Sequence, residues 1–170
     1  MATELGKGTM LPFTFSPMTE EHARTISTWR YGGPYAVYDL SRDSIQSLLH
    51  PRYDYYAVTD ESGQVVGYCC FGADAQVPGG RYGDQKALDV GLGLRPDLTG
   101  KGLGSQFLTT ILDFAQERYH PAQFRLTVAT FNRRAIRVYE QAGCQRSHLF
   151  SIAGTDGQRD YVQMTLTASS

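Results

Sequence analysis

The chain has 170 residues, 41% of them hydrophobic and 19% charged, which matches an ordinary globular domain and excludes wholesale disorder. Sixteen basic residues against seventeen acidic ones leave a net charge of -1, so no broad electrostatic grip on nucleic acid is expected. No apolar run reaches the roughly 20 residues of a membrane span. Residues 1–10 lack an apolar signal-peptide core and read as a flexible tail. Cys69, Cys70 and Cys144 are an odd number with no zinc spacing, which argues against a disulfide framework or a structural metal and for a reducing cytoplasm. A single metal-free cytoplasmic domain over residues 11–170 is the expectation.

In chain order, Leu11 to Phe15 reads as a first strand. Thr19 can cap a helix from Glu20 to Trp29, with Glu20 and Glu21 at its positive end. A loop rich in Tyr, Gly and Pro runs from Tyr31 to Leu40, and Ser41 is expected to cap a second helix through Leu49. Tyr53 to Thr59 and Val65 to Asp74 form a hairpin around Asp60, Glu61, Ser62 and Gly63. Cys69 and Cys70 should therefore face opposite ways. After a loop, Ala87 to Leu94 is a strand, followed by a glycine-rich turn. Apolar residues at helical spacing then mark a helix from Leu103 to Tyr119. Phe124 to Val128 is a strand. Asn132 can cap a helix over Arg133 to Ala142, which Gly143 can end. Ser147–Ile152 and Gln158–Leu166 are two strands joined by a Gly/Asp turn. Seven strands and four helices in this order describe an α+β domain with a mixed sheet.

The chemistry-bearing stretch is Leu92-Gly-Leu-Arg-Pro-Asp-Leu-Thr-Gly-Lys-Gly-Leu-Gly-Ser105. Glycines at 100, 102 and 104 sit between a strand and a helix start. There the backbone N–H groups and the helix dipole suit a phosphate or pyrophosphate. A nucleotide P-loop is not met, because Lys101 is followed by Gly102 rather than Ser or Thr. The dinucleotide pattern fails too, with Phe107 or Ser105 where its last glycine belongs. A turn that merely reverses the chain is the structural alternative.

One helix and one strand later comes Asn132-Arg-Arg-Ala-Ile-Arg-Val-Tyr-Glu-Gln-Ala-Gly-Cys144. Together the two segments resemble the signature of the GNAT superfamily of acyl-CoA-dependent N-acyltransferases. Gly102-Leu-Gly104 supplies the GxG of the pyrophosphate turn, and Asn132, Ala135, Tyr139 and Gly143 match the second motif. Thr99 stands where the family has Gln or Arg, and Cys144 where it has Phe. The resemblance implies a sheet of about seven strands whose fourth and fifth strands splay apart around the pantetheine arm. It also implies acetyl-CoA as cosubstrate, no metal, and an amine on a small molecule, peptide or protein as acceptor. Whether the chain forms a homodimer is left open.

The resemblance further implies roles for residues. Leu92, Gly93 and Leu94 would give backbone contacts to the arm and acetyl group. Gly91 and Gly93 also fit a close ligand approach or a bulge. Thr99, Gly100, Lys101, Gly102, Leu103, Gly104 and Ser105 would hold the pyrophosphate. Asn132 would contact the cosubstrate, or simply cap its helix. Tyr139 would serve as general acid for the leaving thiolate, the alternative being a buried helix tyrosine. Asp89 would be a base acting through water, or else a strand carboxylate paired with a neighbour. Trp29, Tyr31, Tyr35 and Tyr38 would cradle the acceptor, or pack onto the sheet. A non-catalytic acyl-CoA sensor is the competing function, and a nucleotide-binding protein the third.

Overall fold

The computed structural model describes residues 13–83, 86–154 and 157–169. The elements run β1 (Thr14–Pro17), α1 (Glu20–Ser27), α2 (Ser44–Leu49), β2 (Tyr55–Thr59), β3 (Val65–Phe71), β4 (Ala87–Leu94), α3 (Gly104–Tyr119), β5 (Gln123–Ala129), α4 (Arg133–Gln141), β6 (Gln145–Gly154) and β7 (Gly157–Thr167). This is the expected α+β order. The expected tail over residues 1–10, the Leu11–Pro12 start of the first strand, and Thr155 and Asp156 of the last turn lie outside the described residues.

Local chemistry sets the helix ends. The Thr19 hydroxyl accepts from the His22 N–H at 3.2 Å, and His22 Nδ1 accepts from the Thr19 N–H at 3.4 Å. This is a capping box with histidine in the place usual for Glu or Gln. α1 stops at Ser27, short of the expected Trp29. The Ser27 and Thr28 hydroxyls fold back onto the Arg24 and Thr25 carbonyls at 2.7 and 2.6 Å, and such local bonds compete with helix continuation. α2 starts at Ser44, not after a Ser41 cap. The two serines close a turn on each other, Ser44 N–H to the Ser41 carbonyl at 3.0 Å and Ser41 N–H to Ser44 Oγ at 3.1 Å. Asn132 does cap α4, its Oδ1 accepting from the Ala135 N–H at 3.1 Å.

The sheet order is β1-β2-β3-β4-β5-β7-β6. Every neighbouring pair is antiparallel except β4 and β5. That parallel pairing extends only over Ala87–Asp89 against Gln123–Arg125. Beyond it β4 stays on β3 as far as Leu94, and β5 stays on β7 as far as Ala129. A gap therefore opens in mid-sheet.

Each sheet face buries its own cluster. α3 contributes Phe107, Leu108, Ile111 and Ala115 to the main core, against Cys69, Phe71, Val90, Leu126 and Met164. α1 and α2 bring Ala23, Ile26, Trp29 and Leu48 onto Tyr55 and Tyr68 on the other face. Cys69 thus joins the main core, whereas Cys70 faces away from it. All three cysteines are free and buried.

α3 seats against the sheet at Gly67, where an added Cβ would lie 2.4 Å from the Phe107 ring. Gly67→Ala should therefore destabilise the fold by about 1–3 kcal/mol, the usual cost of overpacking. Urea unfolding checks this, and Phe107→Leu in the same background should recover part of the loss.

Candidate active site

The gap between β4 and β5 leaves main-chain groups without sheet partners. The Gly72 N–H donates to the Asp89 carbonyl at 2.9 Å, and the Arg95 N–H donates to the Val66 carbonyl at 2.8 Å. Residues two apart on a strand point their main chain the same way. Asp89, Gly91, Gly93 and Arg95 therefore face β3, while Leu92 and Leu94 face the gap. The Tyr31 hydroxyl donates to the Leu94 carbonyl at 2.7 Å. A cleft of ≈ 630 Å³ opens here, lined by Leu92, Gly93 and Leu94 among others.

One end of the cleft is the glycine turn. Gly100 and Gly102 adopt φ of 72° and 80°, the left-handed region in which glycine carries no Cβ penalty. The residue before α3 is Leu103, whose side chain carries no acceptor to cap the first turn. Thr99, Gly100, Gly102, Gly104 and Ser105 line the cleft. Thr99 uses its hydroxyl locally, donating to the Pro96 carbonyl at 2.7 Å. Lys101 is exposed, and neither it nor Leu103 is part of the lining. Arg134 and Arg137 are, and the sequence reading missed them. Their signal was present in Asn132-Arg-Arg-Ala-Ile-Arg137, because residues three apart share a helix face. The Arg134 guanidinium lies 4.2 Å from the centre of the Tyr35 ring.

Tyrosines form much of the remaining wall. Tyr139 is 8% exposed, and its hydroxyl makes no hydrogen bond among the described residues. Burial, then the nearby Tyr38 and Cys144, push its pKa above the usual tyrosine value. Asn132 lines the cleft and donates from Nδ2 to the Tyr38 hydroxyl at 3.2 Å. Tyr31 and Tyr35 line it as well. Burial first, and then Asp39, push the Tyr31 phenol up to about 12. Trp29 is placed elsewhere, buried among the α1 and α2 side chains.

The facing wall contains Tyr55, Tyr68, Cys70 and Asp74, none of which sequence spacing singled out. An added Cβ on Gly93 would meet the Tyr68 ring at 2.4 Å, and one on Gly91 would meet Cys70 Sγ at 2.8 Å. These glycines make room for side chains of the adjacent strand, a cause the sequence reading did not consider. Burial pushes the Cys70 thiol up to about 12, so at neutral pH it is a protonated thiol rather than a nucleophile.

A family model described as the acetyltransferase (GNAT) family matches residues 19–144. The chain belongs to the GNAT acetyltransferase family. Solved structures agree at the level of fold. An acetyltransferase (GNAT family) from Bacillus anthracis superposes with a TM-score of 0.72 at 13% identity, over 93% of this chain and 96% of that one. A protein provisionally described as a phosphinothricin N-acetyltransferase gives 0.72 at 20% identity, over 94% and 100%. The dodecameric spermidine N-acetyltransferase from Vibrio cholerae gives 0.66 at 17% identity, over 92% and 94%. No curated protein matches the chain.

In this GNAT domain Asp89 lies outside the cleft lining. It is 5% exposed and engages Arg125 through both oxygens, Nε to Oδ1 at 2.6 Å and a terminal nitrogen to Oδ2 at 2.8 Å. Gln76 Nε2 also donates to Oδ2 at 2.9 Å, and the Tyr82 ring centre lies 4.9 Å from the Arg125 guanidinium. The geometry is that of the paired strand carboxylate. The pair bridges the last residues at which β4 and β5 are in register. Removing one partner of a buried pair is strongly destabilising, so Asp89→Ala should lose about 3–5 kcal/mol of stability in urea unfolding. Unchanged stability would show that the pair does not hold the two strands.

Proposed function

We propose that this domain transfers an acetyl group from acetyl-CoA to a primary amine of a small-molecule or peptide acceptor. One observation carries the reading. A single cleft joins an uncapped helix start and glycine turn, the stretch of β4 that has no strand on its β5 side, and a phenol with no hydrogen bond among the described residues. The names of the Vibrio cholerae and phosphinothricin relatives point to amine acceptors for those proteins, which supports the same reaction class here.

The residues divide the work as follows. The turn from Thr99 to Ser105 and the α3 N–H groups receive the pyrophosphate, with Arg134 and Arg137 adding charge. Leu92 and Leu94 offer their main chain to the pantetheine arm as a neighbouring strand would. An N–H there stabilises the carbonyl oxygen as charge gathers on it. The acceptor nitrogen, neutral when it attacks, forms the new N–C bond as the C–S bond breaks. The nitrogen releases a proton to water, Tyr139 delivers one to the departing thiolate, and the phenolate so formed takes its proton back from water. Because burial raises its pKa, Tyr139 retains that proton across the neutral and mildly alkaline range. Asp89 receives no base role in this scheme.

Three measurements test it. Release of free thiol from acetyl-CoA, followed over a panel of amines, tests the reaction itself. Binding of acetyl-CoA without release would make the chain a sensor. Gly102→Val should weaken acetyl-CoA binding by blocking backbone approach, and Arg134→Ala should weaken it about tenfold, near the worth of one charged hydrogen bond. Unchanged affinity in both would count against the pyrophosphate site. Tyr139→Phe should lower kcat roughly ten- to hundredfold, the modest end for a positioned acid because a thiolate leaves readily. Its acetyl-CoA affinity should stay near wild type. Wild-type turnover with chemistry rate-limiting would make Tyr139 structural.

A further inference from the structure

The cleft carries opposite charge at its two ends. Arg134 and Arg137 stand beside the glycine turn. At the other end Asp74 is the one carboxylate lining the cleft among the described residues. The register orders what lies between them. On β3, Tyr68 is level with Gly93 and Cys70 with Gly91, and on β2 Tyr55 is level with Cys70. Leu94 and Gly91 are about 10 Å apart along the strand. Asp74 follows β3 in the turn Ala73–Ala75. The next residue, Ala75, packs so close to Gly91 that an added Cβ there would lie 3.4 Å away. The acid thus sits at the Gly91 end of the gap, remote from the pyrophosphate turn. It also shares the sheet face of Tyr68 and Cys70, opposite the face on which α3 packs.

The surroundings of Asp74 suit a cation. The Tyr55 hydroxyl donates to Asp74 Oδ2, which orients the carboxylate and leaves Oδ1 without a hydrogen bond among the described residues. The Tyr55 and Tyr68 rings, whose centres are 6.3 Å apart, supply aromatic surface on that side of the cleft, and the Tyr68 hydroxyl makes no hydrogen bond among the described residues. A carboxylate with adjacent phenol rings holds an alkylammonium group by charge, hydrogen bonding and cation–π attraction. Tyr55 and Asp74 also line a second cavity of ≈ 140 Å³ together with Ser44, Ser47 and Leu48.

We infer that the acceptor is an aliphatic diamine, whose distal ammonium is held by Asp74 while its proximal, neutral amine reaches the gap beside Leu92. This rests on the acetyl-transfer reading and adds the acceptor class to it. Asp74 takes no part in the proton balance, because the attacking nitrogen loses its proton to water and the thiolate takes one from Tyr139. An acceptor with an anionic group at the distal position meets Asp74 as a like charge.

The test compares diaminobutane, aminobutanol and aminobutyrate, which share a carbon count and differ in distal charge. Thiol release is followed with the full chain, and acetyl-CoA binding is measured separately. The diamine should exceed the alcohol in kcat/KM by about ten- to hundredfold, the range expected for a charge-assisted hydrogen bond, and exceed the carboxylate by more. Asp74→Asn should raise KM for the diamine by a similar factor, leave the alcohol nearly unchanged and leave acetyl-CoA affinity intact. Tyr55→Phe removes the hydrogen bond but keeps the charge, so it should retain the diamine preference. With acetyl-CoA bound, equal use of the three acceptors, no turnover of the diamine, or an equal loss for all three in Asp74→Asn overturns the inference. Absence of acetyl-CoA binding overturns the acetyl-transfer reading and this inference with it.

Discussion

The parting of β4 from β5 is the constraint on which the site depends. Three residue pairs hold the strands together at Ala87–Asp89, and the buried Asp89–Arg125 pair bridges the last of them. Past that point each strand keeps its outer neighbour and loses its inner one. Main-chain groups inside a sheet normally find partners on both sides. Those of Leu92 and Leu94 face a cleft instead, in which the Tyr31 hydroxyl takes up the Leu94 carbonyl.

The same parting lets one cleft reach both faces of the sheet. On the α3 face lie the glycine turn and the arginines of α4, a setting for negative charge. On the other face lie Tyr55, Tyr68, Cys70 and Asp74, phenols and a carboxylate among them. In the proposed reaction, two substrates of opposite charge would approach from opposite sides and meet at β4. Tyr139 reaches the middle from α4, buried enough to keep its proton and lacking a hydrogen-bond partner among the described residues.

Glycine serves two distinct purposes along this wall. Gly102 satisfies a backbone angle in the turn before α3. Gly91 and Gly93 are instead required because Cys70 and Tyr68 occupy the space where a Cβ would project. Replacing either would displace the facing side chain, so packing of the sheet and shape of the cleft are coupled at these positions.

Much was legible from sequence by itself. Helical and strand periodicity, the Thr19 and Asn132 caps and the Asp60 hairpin turn are local properties, and local chemistry decides them. The turn from Thr99 to Ser105 and the helix carrying Asn132 and Tyr139 were legible for the same reason, since each motif is contiguous. Tertiary structure decided the rest. Asp89 finds Arg125 thirty-six positions away, and no spacing rule announces an ion pair between neighbouring parallel strands. Trp29 turns into the α1–α2 cluster while Tyr31, two residues later, reaches Leu94, a choice set by where the helices pack. Tyr55, Tyr68 and Asp74 look like ordinary strand and loop residues in sequence. They become one wall only because antiparallel register sets β2 and β3 side by side against β4. Long-range pairing fixes which side chains share a cavity, and a linear pattern carries no direct record of it.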